Sequence, residues 1–231
     1  MMKKIMAASL MAVLAACTPA AQKAPEAAAP AAPEAPVVAD IPAGEYKLDR
    51  THATLLFRVN HLGFSNYTGR FEKFDATLQL DPANLAAASV TATVDPASLA
   101  VPAPPPGFMA ELKGPQFLDT AKFREITFRS TKVEPTGANT ARITGDFTLH
   151  GVTLPVVLDA TYNGGWRGME MDPHARIGFS AHGTVKRAAH GITYGVPAPG
   201  TTMGVSDDVE VIIEAEFTGP PMAPPAAAPT K

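Results

Sequence analysis

Six histidines, His52, His61, His150, His174, His182 and His190, are the side chains of this 231-residue chain best suited to acid–base or metal chemistry. Their spacing argues against a metal. No two stand four residues apart as on a ligating helix, and the close pair His182 and His190 has no carboxylate between its members. No metal or cofactor is expected. Asp146 and His150 share the polar face of a strand with Arg142, Thr144 and Thr148, which is the pattern of a solvated face rather than of a dyad in a cleft. His61 is expected to point inward, where it is either a core histidine bonded to a backbone carbonyl or a donor to the polar end of a ligand. The chain has no G-x-S-x-G, no glycine loop that would cradle a phosphate and no nucleotide fingerprint. An enzymatic reading therefore needs His61 or His52 as a base acting on a small apolar substrate, with a carboxylate converging on it inside a cavity.

The remaining reactive side chain is Cys17, the single cysteine, which excludes an intrachain disulfide. It ends the stretch "MMKKIMAASLMAVLAAC", where Lys3 and Lys4 form a positive start, Ile5 to Leu14 an apolar run and Ala15 and Ala16 a small-residue cleavage site. The run is too short for a transmembrane helix, which takes roughly 20 apolar residues. Leu14-Ala15-Ala16-Cys17 resembles the bacterial lipobox, so residues 1–16 are expected to be a signal peptide and Cys17 to be acylated after cleavage, tethering the protein to a membrane. Thr18 rather than aspartate in the next position implies the outer membrane, facing the periplasm. Residues 17–43 and 219–231 are rich in Ala and Pro, which suits extended spacers, and the folded domain is expected over 44–218. A net charge of −3 gives no electrostatic reason for a nucleic-acid partner, and 46% hydrophobic residues supply a real core.

Within 44–218 the apolar residues recur with period 2. Leu55, Phe57, Val59 and His61 fall on one face. The same alternation returns in Ala76, Leu78, Leu80; Val90, Ala92, Val94; Ile126, Phe128, Ser130; Ile143, Gly145, Phe147, Leu149; Val156, Leu158, Ala160, Tyr162; Ile177, Phe179, Ala181; and Val209 through Phe217. Turn signals such as "DPAN", "EPTGAN" and "YNGG" separate these eight strands, and one stretch from Pro102 to Phe123 suits short helical turns over an end of the sheet. The expectation is an all-β, eight-stranded antiparallel up-and-down barrel, lipocalin-like, with a short helical insertion. Pattern alone leaves two interiors open. The small residues Ala92, Gly145, Ala160, Ala181 and Ala215 leave room along the axis, or they interdigitate with bulky neighbours in a filled barrel.

The blocks "YKLDRTHATLLFRVNHLGFSNYTGRFEKFDATLQLDP", "FLDTAKFREITFRSTKV", "ITGDFTLHGVTLPVVLDATY" and "VSDDVEVIIEAEF" occur in an order that resembles the YceI-like family of bacterial periplasmic lipid-binding proteins. Matching positions include His52, Phe57, His61, Gly63, Gly69, Phe71, Phe74, Phe117, Phe123, Phe128, Gly145, Asp146, Gly151, Val152, Arg187 and Gly191. Two blocks differ: "FMAEL" stands for the family's Arg-Asp-x-His-Leu, and Arg187-Ala188-Ala189-His190-Gly191 for its Arg-Ser-Asp-Phe-Gly. The resemblance implies an apolar tunnel holding a polyisoprenoid chain, with the polar end of the ligand at the mouth. Leu55, Phe57, Val59, His61, Phe71, Phe128, Phe147, Leu158, Ala160, Phe179, Ala181, Val211 and Ile213 are expected to line it, and Arg70, Lys113 and Arg187, which flank turns, to meet a phosphate there. The functional expectation is a membrane-tethered carrier or sequestering protein for an isoprenoid or similar long-chain lipid, with a barrel enzyme or a structural lipoprotein as the alternatives.

Overall fold

A computed structural model describes residues 41–222; the leader, Cys17 and most of both Ala/Pro-rich segments lie outside the described residues. The chain runs through β1 (Gly44–His61), β2 (Ser65–Phe71), β3 (Phe74–Leu80), β4 (Ser89–Val94), β5 (Leu99–Ala100), helix α1 (Phe108–Leu112), β6 (Ile126–Pro135), β7 (Thr140–Leu149), β8 (Val152–Trp166), β9 (His174–Lys186) and β10 (Val205–Pro221). Neighbouring strands pair antiparallel in the order β10-β9-β8-β7-β6-β4-β3-β1, and β10 returns to β1 from Lys47↔Thr218 to His61↔Val205. That last ladder closes an eight-stranded barrel and removes its edges. These eight strands contain the eight alternating runs seen in the sequence. Ile41 is buried in the core, and β10 continues to Pro221, paired with His174, so the packed region extends past Gly44–Thr218 on both sides.

One sector departs from a plain barrel. The strand that returns after β1 is split in two because Glu72 and Lys73 turn their amides to the 95–98 turn. The Glu72 N–H donates to Ser98 O at 3.2 Å and the Lys73 N–H to Ser98 Oγ at 3.0 Å. The first half, β2, stays on β1 and takes the two-residue β5 on its other side, and the sheet order ends there. The segment 101–125, containing α1, fills the space between β5 and β6. Its backbone hydrogen bonds run within itself, as from Leu118 to Leu112 and from Thr120 to Lys113. Side chains hold it in place: the Phe117 ring lies 5.4 Å from that of Tyr194, and the Phe123 ring 4.3 Å from that of His150.

Two buried clusters cap the barrel. At the near end, where β1 begins, Ile41, Tyr46, Leu78, Leu80, Ile177 and Phe217 pack together. Tyr46 is fully buried there and its hydroxyl donates to Pro42 O at 2.6 Å; burial pushes its pKa up to about 12. At the far end, where β1 finishes, Ile126, Leu149, Val156, Val185 and Ile192 form the second cluster, with Phe117 and Leu118 of the 101–125 segment against it.

Gly145 does not open space along the axis, because the Phe128 ring, diagonally across the β6–β7 ladder, lies over its backbone. A Cβ at Gly145 would fall 2.4 Å from Phe128 Cζ and 2.6 Å from Arg129 O. The second neighbour is backbone and cannot rotate away. Gly145→Ala should therefore lower stability by about 1–3 kcal/mol in urea melts.

Candidate functional site

Between the end clusters the interior is hollow. A cavity of about 830 Å³ runs the length of the barrel, toward the upper end of the roughly 300–1,000 Å³ usual for ligand sites. Its walls come from the inward positions of the strands, and nearly all of the lining side chains are hydrocarbon. The inward aromatic residues Phe57, Phe71, Phe128 and Phe179 are only half-buried although they point away from bulk solvent, since the surface they leave uncovered is the cavity wall. Ring contacts such as Phe57 with Phe71 at 5.8 Å and Tyr162 with Phe179 at 5.7 Å stiffen that wall.

The width follows from alanines in register. Ala141 pairs with Ala160 and Ala160 with Ala181, so β7, β8 and β9 present three adjacent methyl groups to the cavity. Ala76 pairs with Ala92 on β3 and β4, which stand across the barrel from β8 and β9 in the strand order, and both of these also line it. Small side chains on opposite walls leave the axis empty where Leu or Phe would fill it.

All thirteen residues expected to line a tunnel, from Leu55 to Ile213, are in the cavity wall. The three expected at a phosphate are placed differently. Arg70 is on the outer face of β2, paired with Glu72 at 2.7 Å, and Lys113 follows α1 outside the lining. Arg187 does reach the wall, but it is 6% exposed and its guanidinium is taken up by four backbone carbonyls. Nε donates to Ser206 O at 2.9 Å, Nη1 to Ile192 O at 3.1 Å and Tyr194 O at 2.8 Å, and Nη2 to Val205 O at 2.7 Å. Sequence spacing cannot separate a cation that binds a ligand from one that ties down the 187–206 loop, because both stand beside a turn.

His61 lines the cavity at the far rim, its ring 6.5 Å from that of Tyr67. Glu111 of α1 is the acidic residue of the lining, and no hydrogen bond joins it to His61 among the described residues. His150 is not on the outer face of β7: that strand stops at Leu149, and His150 is a turn residue with φ 53°, its ring against Phe123.

His52 has the carboxylates, but on the outside of the barrel. An irregularity in the β1–β10 ladder between Leu48 and Ala53 turns Asp49 and His52 outward, and the closing pairing brings Glu216 beside them. Asp49 Oδ2 contacts His52 Nδ1 at 3.1 Å and accepts from Arg176 Nη1 at 2.8 Å. Thr51 and His52 hold Asp49 well below the usual carboxylate range, and Asp49 in turn raises His52. Asp49 is thus engaged by Thr51, His52 and Arg176 together. Linear spacing could not show the cluster, because Glu216 arrives only through barrel closure.

A closed antiparallel barrel whose interior is one long apolar cavity defines a lipocalin-like ligand-enclosing protein. The chain belongs to the YceI-like domain family, which it matches over residues 46–217. It is 35% identical over 180 residues to a UPF0312 protein of Vibrio cholerae serotype O1, covering 75% of this chain and 87% of that one. Among solved structures it is similar to the Campylobacter jejuni YceI protein, with 28% identity, TM-score 0.59 and coverage of 69% and 89% of the two chains. It also shares its fold with a polyisoprenoid-binding domain from Saccharophagus degradans, at 16% identity and TM-score 0.55, over 76% of this chain and 98% of that domain.

Proposed function

We propose that this protein encloses a polyisoprenoid or similarly long apolar lipid and carries or sequesters it in the bacterial periplasm, tethered to the outer membrane through acylated Cys17, without doing chemistry on it. The observation that supports this best is the cavity itself: about 830 Å³, continuous along the barrel and walled by hydrocarbon side chains. Such a tube offers a flexible apolar chain about 0.8 kcal/mol for each CH₂ it removes from water and offers little to a small polar substrate. The enzyme alternative has less support, since the histidine with carboxylate partners is outside the cavity and the one inside lacks them. The filled-barrel alternative conflicts with the empty volume. The one guanidinium in the described lining is committed to carbonyls, which favours a ligand with an uncharged polar end over a diphosphate.

Native mass spectrometry of the chain purified without its first 17 residues, followed by lipid extraction, tests the reading. A long-chain lipid in near-stoichiometric amount is expected, and protein free of lipid when recovered from the periplasm would sink it. Tethering is tested separately. Cys17→Ser should move the protein from the membrane to the soluble periplasmic fraction, and unchanged fractionation would remove the acylation claim.

A further inference from the structure

The two ends of the barrel differ in charge. None of residues 61–69, 101–110 and 188–206 is Asp, Glu, Lys or Arg. These three stretches meet at the far end. The Leu62 N–H donates to Gly204 O at 2.9 Å, His61 pairs with Val205, and Val101 lies against Gly69, where an added Cβ would fall 3.0 Å from Val101 Cγ1. From this uncharged surface Phe64 projects at the tip of the β1–β2 hairpin, 84% exposed, with Met203 beside the same hairpin at 76% and Tyr194 at 50%. Tyr194 and His61 also line the cavity, so the exposed apolar rim and the interior are continuous. The near end exposes Trp166, Met169, Met171 and Met222 too, but Arg167, Glu170 and Asp172 are interleaved among the first three, and none of the four reaches the cavity wall.

We propose that the far end docks on a lipid bilayer, with Phe64 and Met203 entering the acyl region and Tyr194 at the interface, so that a lipid passes between bilayer and cavity without crossing water. This rests on the reading of the cavity as a lipid site. A bilayer fits this rim better than a protein partner does. The three stretches carry no formal charge and so no ion pairs to desolvate on entering the interface; the exposed Lys186–Asp208 pair stands at the root of the 188–206 loop, and bulky apolar tips on turns are what interfacial insertion uses. The absence of Lys and Arg from these three stretches predicts attachment that is insensitive to salt and does not require anionic lipid. The tether permits this orientation. Ile41 packs at the near end, and residues 18–40 reach up to about 70 Å when extended, more than the roughly 60 Å rise of the 18-residue β1.

The test is co-sedimentation of the chain from residue 17 onward, with Cys17→Ser to remove the acyl group, with vesicles of phosphatidylcholine alone. Binding unchanged between low and high salt is expected. Phe64→Ser combined with Met203→Ser should lower the bound fraction at least tenfold while co-purifying lipid and circular dichroism stay as in the parent; Met169→Ser with Met171→Ser should leave binding intact. A Phe64→Trp reporter in a Trp166→Phe background should shift its emission to the blue on vesicles. The proposal is overturned if the parent does not sediment, if binding needs anionic lipid and falls with salt, if the near-end variant is the one that loses binding, or if the far-end variant only turns a dimer into a monomer. Co-purifying lipid reports the cavity reading alone, so the two claims can fail separately.

Discussion

Ala160→Phe should yield a folded barrel that no longer retains lipid. Ala160 sits at the centre of the Ala141–Ala160–Ala181 row, with its methyl group on the cavity wall. A phenyl ring there projects toward the alanines of β3 and β4 and divides the tube. In a close-packed core the same change would force neighbours off their rotamers and cost about 1–3 kcal/mol or more. Here the ring enters space that lipid or nothing occupies, so the thermal midpoint of the lipid-free protein should stay within a few degrees of the parent, while extracted lipid falls at least tenfold. Ala181→Phe should behave the same way. A collapse of the midpoint with lipid retained would mean that the wall is tighter than its alanines imply.

The second large effect is on stability. Arg187→Met keeps the length and apolar stem of the side chain but leaves Ile192 O, Tyr194 O, Val205 O and Ser206 O without their donor, in a site only 6% exposed. Buried acceptors stripped of a charged donor cost about 1–3 kcal/mol each when water cannot replace it. Partial relaxation of the loop brings the expected total to about 3–5 kcal/mol, measured by urea unfolding. Arg70→Met, in an exposed pair with Glu72, should cost less than about 1 kcal/mol. The contrast is instructive because both arginines stand beside a turn in the sequence; equal losses would show that the Arg187 carbonyl bonds are not what holds the loop.

The barrel was legible because each of its eight strands keeps a run of period-2 alternation with one buried face. It failed where geometry breaks the alternation. An irregularity between Ser130 and Lys132 shifts the phase of β6, so that Val133 rather than Lys132 reaches the cavity. β2, written "SNYTGRF", is too polar to read as a strand, yet it is held by the whole second half of β1. The lining residues were readable one strand at a time. The alanine row was not, since Ala141, Ala160 and Ala181 become neighbours only through register. Whether Gly145 opens space or is covered was not readable, because the chain does not show that the Phe128 ring will lie over it. Arg187 and the Asp49–His52–Glu216 cluster have the same explanation: a polar side chain takes its role from partners supplied by closure of the fold.

The segment 101–125 gives the barrel a seal whose strength depends on its surroundings. Most of the rest of the wall is a ladder, and parting it would orphan amides and carbonyls in any medium. This panel keeps its backbone bonds to itself and is attached by Phe117, Leu118 and Phe123, so lifting it sacrifices apolar contact and nothing else. Water penalises that exposure and acyl chains do not. The contacts that hold this panel are thus ones that water strengthens and hydrocarbon weakens. Amide exchange across 101–125 should accelerate when micelles are added while β7, β8 and β9 stay protected; acceleration spread evenly over the barrel would mean that the panel is not the hinge.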